Sequence, residues 1–252
     1  MTSDQSRRER VIAVTGASRG IGAAIALELA GRGFRVACLT RRGAGVEAAE
    51  IPRGIADRFV NYACDVNDEA RVRAALGAVA ADGGLHGLVN NAGIQLDAPS
   101  HELETTTYER VMRTNATAVF TVCREAYPHL VAAGGGTIVN IGSFYDRIGV
   151  KRNLAYCASK AAVGAMTRCL AVEWASKGIR VLDVAPGYIE TDLNREALVQ
   201  GPLHEFLQKR IPGRRHGTAQ EVARLVAAIF SEDIPFLTGE TIYLDGGQGI
   251  AH

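Results

Sequence analysis

The sequence predicts an α/β fold, one domain in which a doubly wound, seven-stranded parallel sheet is covered by helices. Short runs rich in β-branched residues alternate with longer helical patterns from end to end of the chain. A glycine-rich turn directly follows the first run, and neither a linker nor an internal repeat interrupts the alternation. We therefore expect one domain over residues 10–252, preceded by a flexible N-terminus at 1–9.

The elements follow from these local patterns. Seven runs are predicted strands, at 10–15, 35–40, 59–64, 87–90, 137–141, 179–185 and 241–244. Helical patterns lie between them at 20–32, 44–50, 67–81, 105–132, 154–177 and 218–230. Because strands and helices alternate, neighbouring strands are expected to be parallel.

The segment 191–210 stands apart from these units. It follows Pro186-Gly187, has its own amphipathic pattern and ends at Pro212-Gly213. We expect a helical substrate flap that Gly201-Pro202 divides into two short helices. Its predicted apolar underside comprises Leu193, Ala197, Leu198, Leu203, Phe206 and Leu207. Its predicted solvent-facing charges are Arg195, Glu196, Glu205, Lys209 and Arg210.

Composition excludes several classes of function. The 252 residues include 28 Lys+Arg and 27 Asp+Glu, and no basic run exceeds two residues, so no nucleic-acid partner is expected. No apolar stretch approaches the ~18 residues that span a bilayer, and no signal segment is visible, so we expect a cytoplasmic protein without membrane contact. The five cysteines and six histidines lack metal-ligand spacing, which predicts reduced thiols and no bound metal.

The predicted helix at 154–177 is apolar on most faces. Residues 154–176 include only three charged side chains, Lys160, Arg168 and Glu173. A sheet covers only one side of such a helix, so we expect another subunit to cover the rest. The alternative is an unusually apolar surface helix of a monomer.

The turn after the first strand predicts a dinucleotide site. Gly16 permits a tight turn, Gly20 lets the backbone approach a pyrophosphate, and Gly22 allows close packing of helix and strand. Amides at the start of the following helix would bind the phosphates. A plain strand-to-helix loop is the alternative, but the position directly after the first strand favours a Rossmann-type fold with a bound dinucleotide.

The end of the second strand distinguishes between the two nicotinamide dinucleotides. An acidic residue there would accept the ribose hydroxyls of NAD and repel a 2′-phosphate, whereas this chain has Thr40-Arg41-Arg42. Arg41, together with Arg19, would stabilise a 2′-phosphate by charge-assisted hydrogen bonds. The sequence therefore favours NADP over NAD, the alternative being that these arginines are solvated surface charges.

Four residues are candidate catalytic groups. Tyr156 and Lys160 share a helix face at positions i and i+4. Ser143 lies thirteen residues before Tyr156, just beyond the fifth strand, where side chains reach the ligand crevice of a parallel sheet. Asn115 is the fourth candidate, with a satisfied buried amide as the alternative interpretation.

With these residues, the sequence resembles the short-chain dehydrogenase/reductase family over residues 10–247. The matching motifs, in order, are TGASRGIG at 15–22, Asp65-Val66, NNAG at 90–93, Asn115, Ser143, YCASK at 156–160, Pro186-Gly187 with Thr191, and LDGG at 244–247. Each motif alone is weak, whereas the ordered set with its spacing is specific to the family.

The resemblance implies roles for these positions. Ser143 would hold the substrate oxygen, Tyr156 would be the acid/base and Lys160 would bind the nicotinamide ribose. Asn115 would seat a water molecule in a proton relay. The implied cofactor-binding residues are Gly16, Ser18, Arg19, Gly20, Ile21, Gly22, Thr40, Arg41, Asp65, Val66, Asn91, Ala92, Gly93, Tyr156, Lys160, Pro186, Gly187, Ile189 and Thr191. Members of the family are usually homotetramers, which is the assembly the apolar helix also favours.

The resemblance leaves the substrate open. The segments 210–225 and 236–247 resemble 3-oxoacyl-carrier-protein reductases, which reduce a ketone. However, Gly134 stands where those enzymes carry a docking arginine, and Leu182 stands where many members have Asn. NNAGIQ at 90–95 and APGY at 185–188 resemble gluconate 5-dehydrogenase-like sugar-acid and polyol dehydrogenases instead.

The expected substrate-pocket residues are Gln95, Ser143, Tyr145, Arg147 and Tyr188, with Leu96 and Asn153 beside them. Arg147 and Lys151 would favour an anionic small-molecule substrate, unless both are solvated loop charges. A catalytically silent NADP-binding sensor is a third interpretation. Such a protein would be expected to lack Tyr156, Lys160 or Ser143, and this chain has all three.

Overall fold

Seven parallel strands form the central sheet in the computed structural model, which describes residues 10–47, 51–191, 196, 198, 200–232 and 234–251. The strands are β1 Val11–Thr15, β2 Arg35–Thr40, β3 Phe59–Ala63, β4 Gly87–Asn90, β5 Gly136–Ile141, β6 Ile179–Pro186 and β9 Thr241–Leu244. Two short strands, β7 Ile189–Glu190 and β8 Gly217–Thr218, pair separately. The predicted α/β class and the seven-stranded parallel sheet are confirmed.

The strand order is β3-β2-β1-β4-β5-β6-β9. From β1 the chain adds β2 and β3 on one side. It then crosses back to place β4 on the other side of β1 and continues outward from there. Between β1 and β4 the order reverses, and in open parallel sheets this is where the carboxyl ends of the strands form a ligand crevice.

Helices cover both faces of the sheet. They are α1 Gly20–Gly31, α2 Glu69–Ala81, α3 Thr105–Met112, α4 Ala118–Ala132, α5 Leu154–Trp174, α6 Pro202–Arg210 and α7 Ala219–Ser231. Side chains of α1 and α7 fill one apolar core with one face of the sheet, and side chains of α2, α4 and α5 fill a second core on the opposite face. The two cores fix the strand ends against which the site is built.

Two helix predictions need correction. The predicted helix at 44–50 is wrong for 44–47, which is non-helical, and 48–50 lies outside the described residues. Tertiary contacts override the local pattern there, because the Glu47 amide donates to the Ser18 carbonyl at 2.7 Å. The predicted helix at 105–132 is interrupted by a π-helical turn, Arg113–Thr117, between α3 and α4.

The flap is partly described. Residues 196 and 198 are helical, and α6 begins at Pro202 after Gly201, whose φ is +90°. Leu198 and Leu207 are buried as predicted, together with Ile211 and against the partly buried Tyr188 and Leu203. Phe206, predicted on the underside, is instead 48% exposed, because α6 turns its Leu207 face inward. Leu193, Arg195 and Ala197 lie outside the described residues.

Candidate active site

The turn between β1 and α1 depends on glycine at three positions. Gly16 and Gly20 have φ angles of +66° and +58°, in the left-handed region that favours glycine. A Cβ on Gly22 would collide with the Gly16 carbonyl oxygen and the Asn91 side-chain nitrogen. The sequence interpretation of this turn therefore agrees with its geometry.

Hydrogen bonds tie this turn to the one after β4. The Thr15 hydroxyl accepts from the amides of Asn91 at 2.9 Å and Ala92 at 3.1 Å, and it donates to the Val89 carbonyl at 3.3 Å. The Asn91 side-chain nitrogen donates to the carbonyls of Thr15 and Gly16. The two loops that border the crevice are thus held together as one unit.

Helix α1 presents its N-terminus to the crevice. Its N-cap residue, Arg19, makes no side-chain capping bond, and the first turn contains no acidic residue. Free amides and the positive end of the helix dipole suit a phosphate group. These residues fit a dinucleotide pyrophosphate.

A cavity of about 820 Å³ extends from this turn along the carboxyl ends of the strands. Predicted cofactor residues on its wall are Gly16, Ser18, Arg19, Gly20, Ile21, Thr40, Arg41, Asp65, Val66, Asn91, Ala92, Gly93 and Thr191. Wall residues that the sequence analysis missed are Leu39, Cys64, Asn67, Ile94, Thr106, Glu109, Arg110, Arg113 and Thr114. Several of these, from Thr106 to Thr114, lie in the helical turns directly before Asn115. Their proximity in sequence to that candidate residue is the feature that could have identified them.

The end of β2 is basic on its exposed side. The Thr40 hydroxyl donates to the Ala44 carbonyl at 2.9 Å, while Arg41, Arg42 and Arg19 are exposed. Arg19 and Arg41 are on the cavity wall, whereas the carboxylates among the described wall residues are Asp65 and Glu109. The Asp65 carboxylate accepts a hydrogen bond from the Asn67 amide at 3.0 Å.

Gly22, Tyr156 and Lys160, which were predicted to bind cofactor, are not on the cavity wall. Neither are Pro186, Gly187 and Ile189, although they were predicted to bind cofactor as well. The Gly187 amide donates to the Leu244 carbonyl at 2.9 Å, and Ile189 is buried in the core with α7. These three residues hold the chain that leads to Thr191, which is on the wall.

Asn115 lies in the π-helical turn and is 1% exposed. Its amide nitrogen donates to the Ile94 carbonyl at 2.8 Å and to the Ser159 hydroxyl at 3.2 Å, while its amide oxygen accepts from the Ile94 amide at 2.8 Å. The side chain is therefore a satisfied buried amide that joins the loop after β4 to α5. A role in seating water stays a prediction.

Helix α5 brings Tyr156 and Lys160 to the end of β5. The Lys160 ammonium donates to the Ile141 carbonyl at 2.7 Å and lies 5.5 Å from the centre of the Tyr156 ring. Ser143 follows two residues after Ile141, is buried, and accepts from the Tyr145 amide at 3.2 Å. The predicted serine, tyrosine and lysine thus converge on the carboxyl edge of the sheet.

Three tyrosines form one wall of this site. The Tyr145 ring meets the Tyr156 ring edge-on at 5.8 Å, and its hydroxyl bonds to the Tyr188 hydroxyl at 2.9 Å. Burial, and then the bond to Tyr188, raise the pKa of Tyr145, so its hydroxyl stays protonated. Tyr145 and Tyr188 place hydroxyl groups next to Tyr156.

Polar contacts join the loops that follow β4 and β5. The Gln95 amide nitrogen donates to the Asn153 side-chain oxygen at 2.6 Å. The neighbouring Arg152 adopts a φ of +66° and pairs with Asp97 at 2.9 Å. The left-handed conformation of a non-glycine residue is strained, which indicates that both loops fix the position of Asn153.

Arg147 does not present its charge freely to a substrate. It pairs with Asp245 at 3.1 Å, and its guanidinium lies 3.6 Å from the centre of the Tyr243 ring. Lys151 is exposed. The predicted anion-binding role of Arg147 is thus opposed by an internal ion pair that the sequence pattern did not reveal.

Neither a metal cluster nor a membrane span is found in the described ranges. Within them, no group of three or more His, Cys, Asp or Glu residues is arranged to hold a metal ion. No helix in the same part of the chain is long and apolar enough to cross a membrane.

Comparisons with known proteins agree with this geometry. The family model described as enoyl-(acyl carrier protein) reductase matches residues 16–248. D-threitol dehydrogenase of Mycolicibacterium smegmatis is 36% identical over 96% of this chain and 93% of its own length. Acetoacetyl-CoA reductase of Rhizobium meliloti is 40% identical over 96% of this chain and 99% of its own.

A solved structure is similar over the whole fold. It is a protein of Agrobacterium tumefaciens provisionally assigned as a 2-deoxy-D-gluconate 3-dehydrogenase, determined with bound NADP. The TM-score is 0.84, with 34% identity over 95% of this chain and 96% of that one. The relatives therefore include both a ketone reductase and dehydrogenases of polyols and sugar acids.

Proposed function

Because this chain belongs to the short-chain dehydrogenase/reductase family of oxidoreductases, we propose that it is an NADP(H)-dependent enzyme that interconverts a ketone and a secondary alcohol. The observation that carries the proposal is the convergence of Ser143, Tyr156 and Lys160 at the carboxyl edge of the sheet. The 820 Å³ cavity runs along the same edge of the sheet. A non-catalytic sensor would not need all three side chains.

The chain's own groups suit the proton transfer. When bound, the nicotinamide supplies or accepts the hydride. Ser143 would hold the substrate oxygen, while Tyr156 would give a proton to that oxygen during reduction and take it back during oxidation. The buried Lys160 ammonium favours the ionised phenolate by its positive charge, and the Ile141 carbonyl fixes its position.

The cofactor preference rests on Arg41 and Arg19. Both are exposed on the cavity wall, Arg41 directly after β2 and Arg19 directly before α1, and the end of β2 has no carboxylate to bind the ribose. We expect NADPH to bind at least tenfold more tightly than NADH, which corresponds to about 1.4 kcal/mol. The NADP found in the similar structure supports this choice. Equal affinities in fluorescence titrations would refute it.

The proposed substrate is a 3-oxoacyl thioester or a related ketone. The 40% identity to acetoacetyl-CoA reductase supports it. Polyols and sugar acids are the second candidate, which the Gln95–Asn153 pair, the Tyr145 and Tyr188 hydroxyl groups and the likeness to D-threitol dehydrogenase favour.

The experiment is a screen of NADPH oxidation and NADP⁺ reduction. Its three substrate groups are β-ketoacyl thioesters, keto-sugar acids with the matching polyols, and simple ketones. Preference for the thioesters supports the first candidate, and preference for the hydroxylated group supports the second. Cofactor binding without turnover on any group, in a protein whose Tyr156→Phe variant behaves identically, would overturn the catalytic proposal.

We also propose a cytoplasmic homotetramer. Helix α5 exposes Val172 (82%) and Leu154, and α4 exposes Phe120 and Val131, in line with faces that another copy would cover. Sedimentation velocity at micromolar concentration is expected to give a tetramer, and a monomer would contradict the proposal. The flap around α6 is proposed to close on the substrate through Tyr188, against which Leu198 and Leu207 pack.

A further inference from the structure

A row of polar residues, all buried except the half-buried Thr241, crosses the sheet beneath α5. Asn90, Asn140, Asp183 and Thr241 are in register on neighbouring strands, so their side chains point to the same face. The Asn90 amide donates to Asn140 at 2.9 Å, and the Asn140 amide donates to the Thr167 hydroxyl of α5 at 2.8 Å. Asp183 is the only acidic member of this row and is 0% exposed.

The carboxylate of Asp183 lies directly behind the catalytic segment. A Cβ on Gly142 would lie 2.5 and 2.6 Å from its two oxygens, so the carboxylate packs on the Gly142 backbone. Gly142 is the residue between Ile141, whose carbonyl receives the Lys160 ammonium, and Ser143. A change in the charge of the Asp183 carboxylate therefore acts on the backbone that positions Ser143 and, through the Ile141 carbonyl, Lys160.

A second acid faces the same interior space. The Asp146 carboxylate accepts from the Tyr243 hydroxyl at 2.8 Å, and the Asp183 carboxylate accepts from the Thr241 hydroxyl at 3.4 Å. Each acid has one remaining buried oxygen, Oδ1, without a hydrogen-bond partner among the described residues. Two neighbouring carboxylates repel each other when both are ionised, and each has an oxygen without a hydrogen-bond donor among the described residues, so one of the two is favoured to keep its proton.

Charged and titratable groups face this acid pair from several elements. Lys160 faces it from α5, and Tyr243 faces it from β9. Arg168 also faces the pair from α5. A Cβ built on Gly164 of that helix would lie 3.6 Å from an Arg168 nitrogen and 3.8 Å from an Asp146 oxygen, so both side chains lie beside Gly164. The Arg147 guanidinium stacks on the Tyr243 ring and forms an ion pair with Asp245.

Electrostatics point in the same direction as the geometry. Burial raises the pKa of Asp183 to about 7, the Lys160 ammonium opposes the rise, and the Asp146 carboxylate adds to it. Asp183 thus changes its charge within the pH range in which the proposed reaction would be measured. Every such change alters the field at Lys160.

We propose that Asp183 is a positioning residue of the reaction, whose protonation state sets the field at Lys160 and thereby the pH range in which Tyr156 exchanges the substrate proton. This inference rests on the proposed function. A negative Asp183 offsets part of the Lys160 charge, so it disfavours the ionised phenolate that alcohol oxidation requires. Because Asp183 ionises as the pH rises, the acid limb of the oxidation profile is broadened.

The test compares pH profiles of kcat/KM for the wild type and Asp183→Asn, which keeps the shape and removes the titrating charge. For alcohol oxidation, the acid limb is expected to steepen and to move to lower pH by about half to one unit. For ketone reduction, the alkaline limb should move to lower pH as well. A merely structural residue would change the height of the profile and leave its midpoint in place, and that result overturns the proposal.

Two further variants make the test specific. Asp146→Asn removes the carboxylate that raises the pKa of Asp183, so Asp183 ionises at lower pH and the midpoint is expected to move to higher pH, opposite to the shift of Asp183→Asn. This variant keeps the proposal testable if Asp183→Asn fails to fold. Asp245→Asn removes a buried acid that is paired with Arg147, and it should leave the midpoint unchanged. An equal shift in Asp245→Asn would attribute the effect to charge removal in general and overturn the assignment to Asp183.

The same assays separate this inference from the proposed function. If Tyr156→Phe retains wild-type turnover, the proposed chemistry fails, whatever Asp183 does. If Tyr156→Phe is inactive while Asp183→Asn keeps the wild-type midpoint, the chemistry stands and the role of Asp183 is wrong.

Discussion

Replacing Asp183 with asparagine should change how the stability of the protein depends on pH. In the folded chain the pKa of Asp183 is about 7, raised mainly by burial, against an ordinary value of 3.8. Between these two values the folded protein holds a proton that the unfolded chain has released. Folding stability associated with this group is therefore fully present below pH 3.8 and is lost as the pH rises through 7. The asparagine variant lacks this loss.

The magnitude follows from the two pKa values. A difference of about three pH units, at about 1.4 kcal/mol per unit, gives about 4 kcal/mol as the upper limit. About 3 kcal/mol of this limit falls between pH 4.5 and pH 8, and rearrangement of the surrounding groups on ionisation lowers it further. We therefore expect the free energy of unfolding of Asp183→Asn, relative to the wild type, to increase by about 2–3 kcal/mol between these two pH values. The absolute offset between the two proteins is set by packing and does not enter this comparison.

The assay is urea unfolding followed by circular dichroism at several pH values and one fixed protein concentration, since assembly affects apparent stability. Asp82→Asn is a suitable control, because that carboxylate is exposed and pairs with Arg35 at the surface. Its difference from the wild type should vary with pH by less than about 1 kcal/mol. Parallel pH dependences for the wild type and Asp183→Asn would refute the buried proton.

Three further outcomes are expected. Tyr156→Phe should lower kcat by at least ~100-fold in steady-state assays, with cofactor affinity by fluorescence titration nearly unchanged, since the hydroxyl acts on the substrate proton. Arg41→Asp should move cofactor preference toward NADH by at least tenfold in Kd, about 1.4 kcal/mol, because it removes a phosphate partner and adds a repulsive charge. Gly22→Ala should weaken cofactor binding and lower Tm, because its methyl group would collide with the Gly16 carbonyl in the turn between β1 and α1, whereas Gly31→Ala in the same helix, with open space at its Cβ, should leave both almost unchanged.

Elements with a strong local signal were predictable from the sequence. The strand predicted at 179–185 is observed as Ile179–Pro186, and the spacing of Gly16, Gly20 and Gly22 identified a turn whose backbone angles require glycine at the first two positions. Such features are encoded within a few residues, by side-chain alternation or by backbone freedom, so neighbouring sequence is enough to recognise them.

Features that depend on distant partners were not predictable. The segment 44–47 is non-helical because its backbone bonds to Ser18 in the turn between β1 and α1, and helical periodicity does not reveal this contact. Arg147 looked like a free loop charge, yet its partner Asp245 is 98 residues away. In both cases the tertiary contact outweighs the local preference.

The neighbouring residues Leu182 and Asp183 also show the difference between a local sequence pattern and a contact with distant residues. Leu182 stands where many family members have Asn, which suggested a disturbance near the catalytic residues. Side chains alternate along a strand, so Leu182 packs into the core with α7, on the face of the sheet away from Lys160. Asp183 points to the α5 face and lies against the Gly142 backbone. A charge within an apolar strand was the visible signal, but its meaning depends on Lys160 and Asp146, which other elements supply. Asp183 is therefore coupled to the candidate active site through residues of two other elements.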